Sequence, residues 1–146
     1  MRQRWWLVTL AAVVVAALAG MAAINGVRRA RYGDVHPQGD SAVVVGHGHR
    51  FSLAVPDRGS SVGDHWTAAA TPDGVVALVR SEQVDGNIAD RVFGPAIGGG
   101  AGTRYFVFDA RRTGSVAITL HNCFQGCGTD RTTAESRDAV WTVTVR

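Results

Sequence analysis

Between Gly98 and Cys127 the chain reads GGGAGTRYFVFDARRTGSVAITLHNCFQGC, and the alternation inside it restricts the fold more than any other feature. Phe106 and Phe108 fall two apart, as do Val116, Ile118 and Leu120. Side chains alternate across a strand with period two, so each set lies on one face. Arg111-Arg112-Thr113-Gly114 separates the two runs as a turn, which predicts a hairpin. A glycine-rich loop precedes the first strand, and a five-residue loop bounded by the only two cysteines, Cys123 and Cys127, follows the second. Both loops then emerge at the same end of the sheet, and that end is the expected working surface.

Further short strands are predicted at 42–45, 50–55, 65–69, 75–81, weakly at 91–93, and at 140–145, divided by turn signals at Gly46-His47-Gly48, Pro56-Asp57-Arg58-Gly59, Pro72-Asp73-Gly74 and Asp85-Gly86. Seven or so strands without a convincing amphipathic helix among them read as an all-β, immunoglobulin-like sandwich of two sheets over 42–146. Phe51, Leu53 and Val55, Trp66 and Ala68, and Trp141, Val143 and Val145 are expected to join the aromatics of the central strands in one core. Glycine, 18 of 146 residues, fits a chain of strands and turns.

The N-terminal part is of another kind. Trp5 to Ile24 is a run of twenty residues without a charge, preceded by Arg2 and Arg4. As a helix it spans about 30 Å, the thickness of a bilayer's hydrocarbon core. Two readings stand for residues 1–24: a signal anchor, favoured by the length and the Trp pair, and a cleaved signal peptide, for which Ala17-Leu18-Ala19 supplies a small-residue site. Arg28, Arg29 and Arg31 follow the span and roughly balance the charge before it, so orientation rests on the cysteines. Two cysteines four apart in a short exported domain read as a disulfide, which puts the C-terminal domain outside the cytoplasm, either on the membrane or secreted. Residues 25–41, polar and punctuated by glycine, read as a linker.

Other chemistries lack their residues. A phosphate cradle at the glycine run needs a following Gly-Lys-Ser/Thr and a helix, and the chain contains no lysine. The net charge of +3 comes from arginines spread along the chain, which argues against nucleic acid as a partner. His47 and His49 share one side of an extended chain but have no third ligand in view, and the cysteine spacing is not that of a CxxC metal or redox site, so no metal or cofactor is expected. Asp64 and His65 point to opposite faces of any shared strand, and no paired carboxylates are placed, so the chain reads as a non-enzyme.

Gly59-Ser60-Ser61-Val62-Gly63-Asp64-His65-Trp66 and Gly99-Gly100-Ala101-Gly102 in the exported part resemble two loops of the chagasin-like inhibitors of papain-type cysteine proteases. Gly59-Ser60-Ser61-Val62-Gly63-Asp64-His65-Trp66 lies where that family has Asn-Pro-Thr-Thr-Gly-Tyr-x-Trp, with the glycine and tryptophan in register. Gly99-Gly100-Ala101-Gly102 is similar to the family's Gly-x-Gly-Gly loop, followed at the family's spacing by Phe106-x-Phe108-x-Ala110, Gly114 and Ile118-x-Leu120. Gly48 to Leu53 and Val140 to Val145 look like its first turn and strand and its last strand. The chain departs from the family at two places. Ser60, Ser61 and Val62 replace a Pro and two Thr, and Phe124-Gln125-Gly126 stands where the family has Arg-Pro-Trp.

The resemblance implies a sandwich whose three loops at one end form a wedge that blocks a papain-like protease reversibly. Ser60, Ser61, Val62 and Gly63 would enter the cleft, Gly99, Gly100, Ala101 and Gly102 would approach through backbone groups, and Phe124 and Gln125 would pack on the other side. A loop acts this way only when it is held, because ordering a free one costs about 1–2 kcal/mol per residue on binding. A Cys123–Cys127 bond would contribute roughly 2 kcal/mol by the chain-entropy estimate. Either it fixes Phe124 as an exposed anchor, or it merely closes a strand end. The alternative from another class is a non-inhibitory immunoglobulin-like envelope or adhesion module.

Overall fold

The computed structural model describes residues 2–84, 86, 92–94 and 102–146. Among the described residues a long helix, α1 (Arg2–Tyr32), is followed by eight strands: β1 (Asp34–Pro37), β2 (Ala42–Val45), β3 (Arg50–Pro56), β4 (Trp66–Thr71), β5 (Val76–Val84), β6 (Thr103–Ala110), β7 (Gly114–Asn122) and β8 (Arg137–Val145). They form two four-stranded sheets, ordered β1-β3-β6-β5 and β2-β8-β7-β4, packed face to face. The edge strands β1 and β2 pair parallel with β3 and β8, and the other pairings are antiparallel.

The facing surfaces are those the period-two reading picks out. Phe51, Leu53, Val55, Phe106 and Phe108 of one sheet meet Trp66, Val116, Ile118, Leu120, Trp141, Val143 and Val145 of the other, with Ala68 packed against them. The predicted hairpin does not form. β6 and β7 lie in different sheets, joined by residues 111–113 as an arch across the core. Each is a central strand with both edges taken, β6 by β3 and β5 and β7 by β4 and β8, so neither has a free edge for the other. The weak strand expected at 91–93 is also absent where it can be seen, since residues 92–93 are helical. Two apolar residues are too short a run to sustain a ladder.

β3 and β6 are buried on both faces, with Phe51 to Val55 all buried. A second apolar cluster covers the outer face: Tyr32, Ala54, Val84, Tyr105 and Val107, with Val35 against it. The rings of Tyr32 and Tyr105 meet edge to face, 5.9 Å between centroids. Residues 25–41 are therefore not a bare linker. Their first part continues α1, and Asp34–Pro37 adds a strand to the sheet.

The last turn of α1 docks beside the start of β3. Ser52 Oγ donates to the Tyr32 carbonyl (2.6 Å), Arg50 to that of Ala30 (2.9 Å), and Arg31 pairs with Glu82 (2.8 Å). Gly33, with φ +65°, ends the helix by donating to the Arg29 carbonyl, and a Cβ there would stand 1.8 Å from the Arg50 carbonyl oxygen. Only glycine permits both the left-handed turn and that approach. Leu10–Tyr32 is long and apolar enough to cross a membrane.

Candidate functional site

β3, β5 and β7 finish at the end of the sandwich where β4, β6 and β8 begin, so the connections 57–65 and 123–136 meet there, and the chain leaves β5 and enters β6 at the same end. The first and third are zipped together. Beyond the last β4–β7 pair, Trp66 opposite Asn122, the Cys123 N–H donates to the His65 carbonyl (2.9 Å) and the Gln125 N–H to that of Gly63 (2.8 Å). The strand pairing thus continues into the loops. Gly63 has φ +114°, and a Cβ would come within 2.5 Å of Gln125 Cγ and 3.4 Å of the Phe124 ring.

Side chains reinforce this backbone zipper. Asp64, wholly shielded from water, accepts from Arg58 at both oxygens: Oδ2 from the backbone N–H (2.9 Å) and Nε (3.1 Å), Oδ1 from the guanidinium (2.7 Å). Oδ1 also accepts from Asn122 Nδ2 (2.9 Å), whose amide oxygen in turn accepts from the His65 N–H (2.9 Å). The Arg58 side-chain hydrogen bonds, helped by those from Asn122 and the Arg58 backbone, hold the Asp64 carboxyl well below the usual carboxylate range against the opposing effect of burial. Arg58 also lies 4.7 Å over the centre of the Phe124 ring and 3.8 Å from Glu135.

The second loop joins the same frame at its exit. The Asp57 N–H donates to the Gly102 carbonyl (2.6 Å), and the buried Asp57 carboxylate accepts from the Gly59 N–H (2.8 Å) and Arg104 Nε (2.6 Å). Gly102 sits at φ +82°, with room for a Cβ only 3.1 Å from the Asp57 carbonyl oxygen. Gly99, Gly100 and Ala101, expected to act with it, lie outside the described residues.

The third loop is more elaborate than a five-residue closure. A 3-10 turn, Phe124–Cys127, is closed by the Cys123–Cys127 disulfide, and a short helix, α2 (Asp130–Glu135), follows. Thr129 caps α2 by accepting from the Thr132 N–H, while its own N–H donates to Thr132 Oγ1. Ser136 Oγ accepts from the Phe124 N–H (3.0 Å) and donates to the Thr132 carbonyl (2.8 Å), which fastens the turn to the helix end. Among the described residues, no group of three or more His, Cys, Asp or Glu side chains is placed to hold a metal ion.

Comparison with solved structures bears on this arrangement. The solution structure of amebosin superposes with a TM-score of 0.53 at 16% identity, covering 77% of this chain and 96% of that one. The crystal structure of EhICP2, a cysteine protease inhibitor from Entamoeba histolytica, superposes with a TM-score of 0.55 at 12% identity, covering 77% and 95%. The chain has a chagasin-like fold. By sequence, no protein-family model and no curated protein matches it.

Within this chagasin-like fold, Ser60, Ser61 and Val62 stand exposed at the tip of the first loop, with Val62 46% accessible, and Gln125 and Gly126 stand exposed beside them. Phe124 does not. It is only 7% accessible, packed under Arg58 and against Gly63, so of the two alternatives the sequence leaves open the exposed aromatic anchor does not hold, and the ring is an internal prop. The ring faces inward between Gly63 and Arg58, where burying its apolar surface is favourable. Sequence reasoning gives Arg58, Asp57 and Asn122 no role, and it weighs Asp64 only beside His65 as a catalytic pair. Asp57 and Asp64 flank a loop at a sheet end, and buried carboxylates there require donors, which is the signal that could have pointed to them.

Proposed function

We propose that this domain is a reversible proteinaceous inhibitor of papain-like cysteine proteases, with the joined loop end as its wedge. The observation that carries the reading is the backbone zipper between Gly63 and Gln125 beneath an exposed Ser60-Ser61-Val62 tip. A tip held by hydrogen bonds on both sides loses little freedom on entering a cleft, and it is not free to adopt the extended form in which a protease cuts its substrates. EhICP2, which shares the fold, is a cysteine protease inhibitor. Ser61 and Val62 would enter the cleft nearest the catalytic cysteine, Gly99 to Gly102 would line one side through backbone groups, and Gln125 with Gly126 would lie on the other. Phe124 would act from beneath by supporting that third contact. No catalytic role is proposed for the chain.

The apolar helix would hold the domain at a membrane as a single-pass anchor with the sandwich outside the cytoplasm. Cleavage after Ala19 would secrete it instead, with Tyr32 and β1 still attached to the sandwich. Docking through Arg50 and Ser52 places α1 next to the start of β3, away from the loops, so an anchored domain would present its wedge outward.

The second reading, an immunoglobulin-like envelope or adhesion module, is favoured by the inward turn of Phe124, which leaves the third loop without an exposed aromatic ring. The two separate in a binding experiment with the full chain in detergent micelles and immobilised papain. Capture by the free enzyme, abolished when a peptide inhibitor fills its cleft, supports the wedge. Failure to bind either form favours the module.

A further inference from the structure

The disulfide is asymmetrically surrounded. His121 on β7 and Asp138 on β8 are directly opposite each other in the ladder, and His121 Nδ1 lies 2.5 Å from an Asp138 oxygen. The other ring nitrogen, Nε2, is 3.9 Å from Cys127 Sγ. Ser136 Oγ is also near that sulfur, at 3.4 Å, but its proton is directed at the Thr132 carbonyl. His121 Nε2 is therefore the nitrogen set beside Cys127 Sγ, and it donates there when both ring nitrogens carry a proton. Among the described residues no donor is placed against Cys123 Sγ. Both cysteines are half-buried, and His121 and Asp138 are largely open to water.

We propose that the Cys123–Cys127 bond is a thiol-exchange site, opened by a low-molecular-weight thiol that attacks Cys123 while Cys127 departs against His121. The thiolate forms a new S–S bond at Cys123 Sγ as the old bond breaks, and the electron pair leaves on Cys127 Sγ. A sulfur that departs more readily is one whose negative charge is met by a donor. With Nδ1 held by the Asp138 carboxylate, the imidazolium form of His121 directs Nε2–H at that sulfur, in the carboxylate–imidazole–thiolate order of nucleophilic cysteine sites. A second thiol then attacks the thiol-derived sulfur of the mixed disulfide. It leaves as a small-molecule disulfide and frees Cys123, so two thiols are oxidised and the protein bond is reduced by two electrons. The site lies at the base of the third loop, and its chemistry goes beyond the protease reading and does not depend on it.

The test uses the full chain in detergent micelles, incubated with excess reduced glutathione, quenched with N-ethylmaleimide and mapped by peptide mass. The expected product carries glutathione on Cys123 and N-ethylmaleimide on Cys127. His121→Gln and Asp138→Asn, both at exposed positions, should slow adduct formation on the order of tenfold and spread it over both cysteines, with near-ultraviolet circular dichroism unchanged. A bond that stays closed, with neither cysteine carrying glutathione or N-ethylmaleimide, glutathione on Cys127, or variants that react at the same rate and the same sulfur would overturn the proposal.

Discussion

The Gln125 N–H donates to the Gly63 carbonyl across 2.8 Å, and this bond makes two loops, 62 residues apart in sequence, into one edge. The joint depends on a glycine. At φ +114° any side chain at position 63 is strained, and a Cβ there would also press on Gln125 and the Phe124 ring. Gly63→Ala should therefore cost about 1–3 kcal/mol in a denaturant midpoint experiment. Amide exchange at Gln125 should accelerate more than exchange in β7, because the strain falls on the joint and not on the core.

Asp64 makes the same joint sensitive to acid. Its carboxyl is depressed in the folded state, chiefly by the Arg58 hydrogen bonds, so the stability it contributes is fully present above about pH 5. That contribution declines as the pH falls through the ordinary carboxylate range and below. Asp64→Ala should cost about 2–3 kcal/mol at neutral pH, kept below the value for a wholly buried pair because Arg58 is nearly half exposed. The difference between the variant and the parent should shrink progressively on acid titration followed by circular dichroism. A constant difference at all pH values would show that Asp64 acts by packing alone.

The core was legible in the sequence and the partners of the strands were not. Period-two spacing places Phe106, Phe108, Ile118 and Leu120 on buried faces whichever strands lie beside them, and those faces are buried as expected. The same spacing is silent on whether β6 and β7 are neighbours in one sheet or face each other across two. Tyr105 and Val107 alternate with the phenylalanines, and a run apolar on both faces is the sign of a central strand covered twice. The direction of Phe124 was open in the sequence because a ring between two cysteines can turn either way, and the residues it packs against, Gly63 and Arg58, lie far away in sequence. Arg58 and Asp64 meet only because the loop curls. The helix Asp130–Glu135 spans six residues, too brief to register as a periodic segment in the sequence.

The outer cluster gives a test of where the domain begins. A chain starting at Ser41 lacks Tyr32 and β1, exposing Tyr105 and one edge of β3. Tyr32→Ala in the longer chain should cost about 3–5 kcal/mol, as for other large aromatic truncations. The shorter chain should melt at a temperature at least as low. Equal melting of the two chains would contradict the docking of α1 on the sheet.

Val62 separates contact from support. It is exposed, so Val62→Asp should leave the melting temperature nearly unchanged while weakening protease binding at least about tenfold, or ~1.4 kcal/mol. Phe124→Ala should do the reverse in order of size, lowering thermal stability first and binding through the loosened third loop. A tip-contact role for Phe124 would instead reduce affinity with no loss of stability.

The most direct measurement is a titration of papain, turning over a fluorogenic peptide, with the full chain in detergent micelles and its disulfide intact. Reversible, competitive inhibition in the nanomolar range, weakened by Val62→Asp, is the expected result. A folded chain that leaves turnover unchanged at micromolar concentration would contradict the account and leave the chagasin-like fold serving another partner.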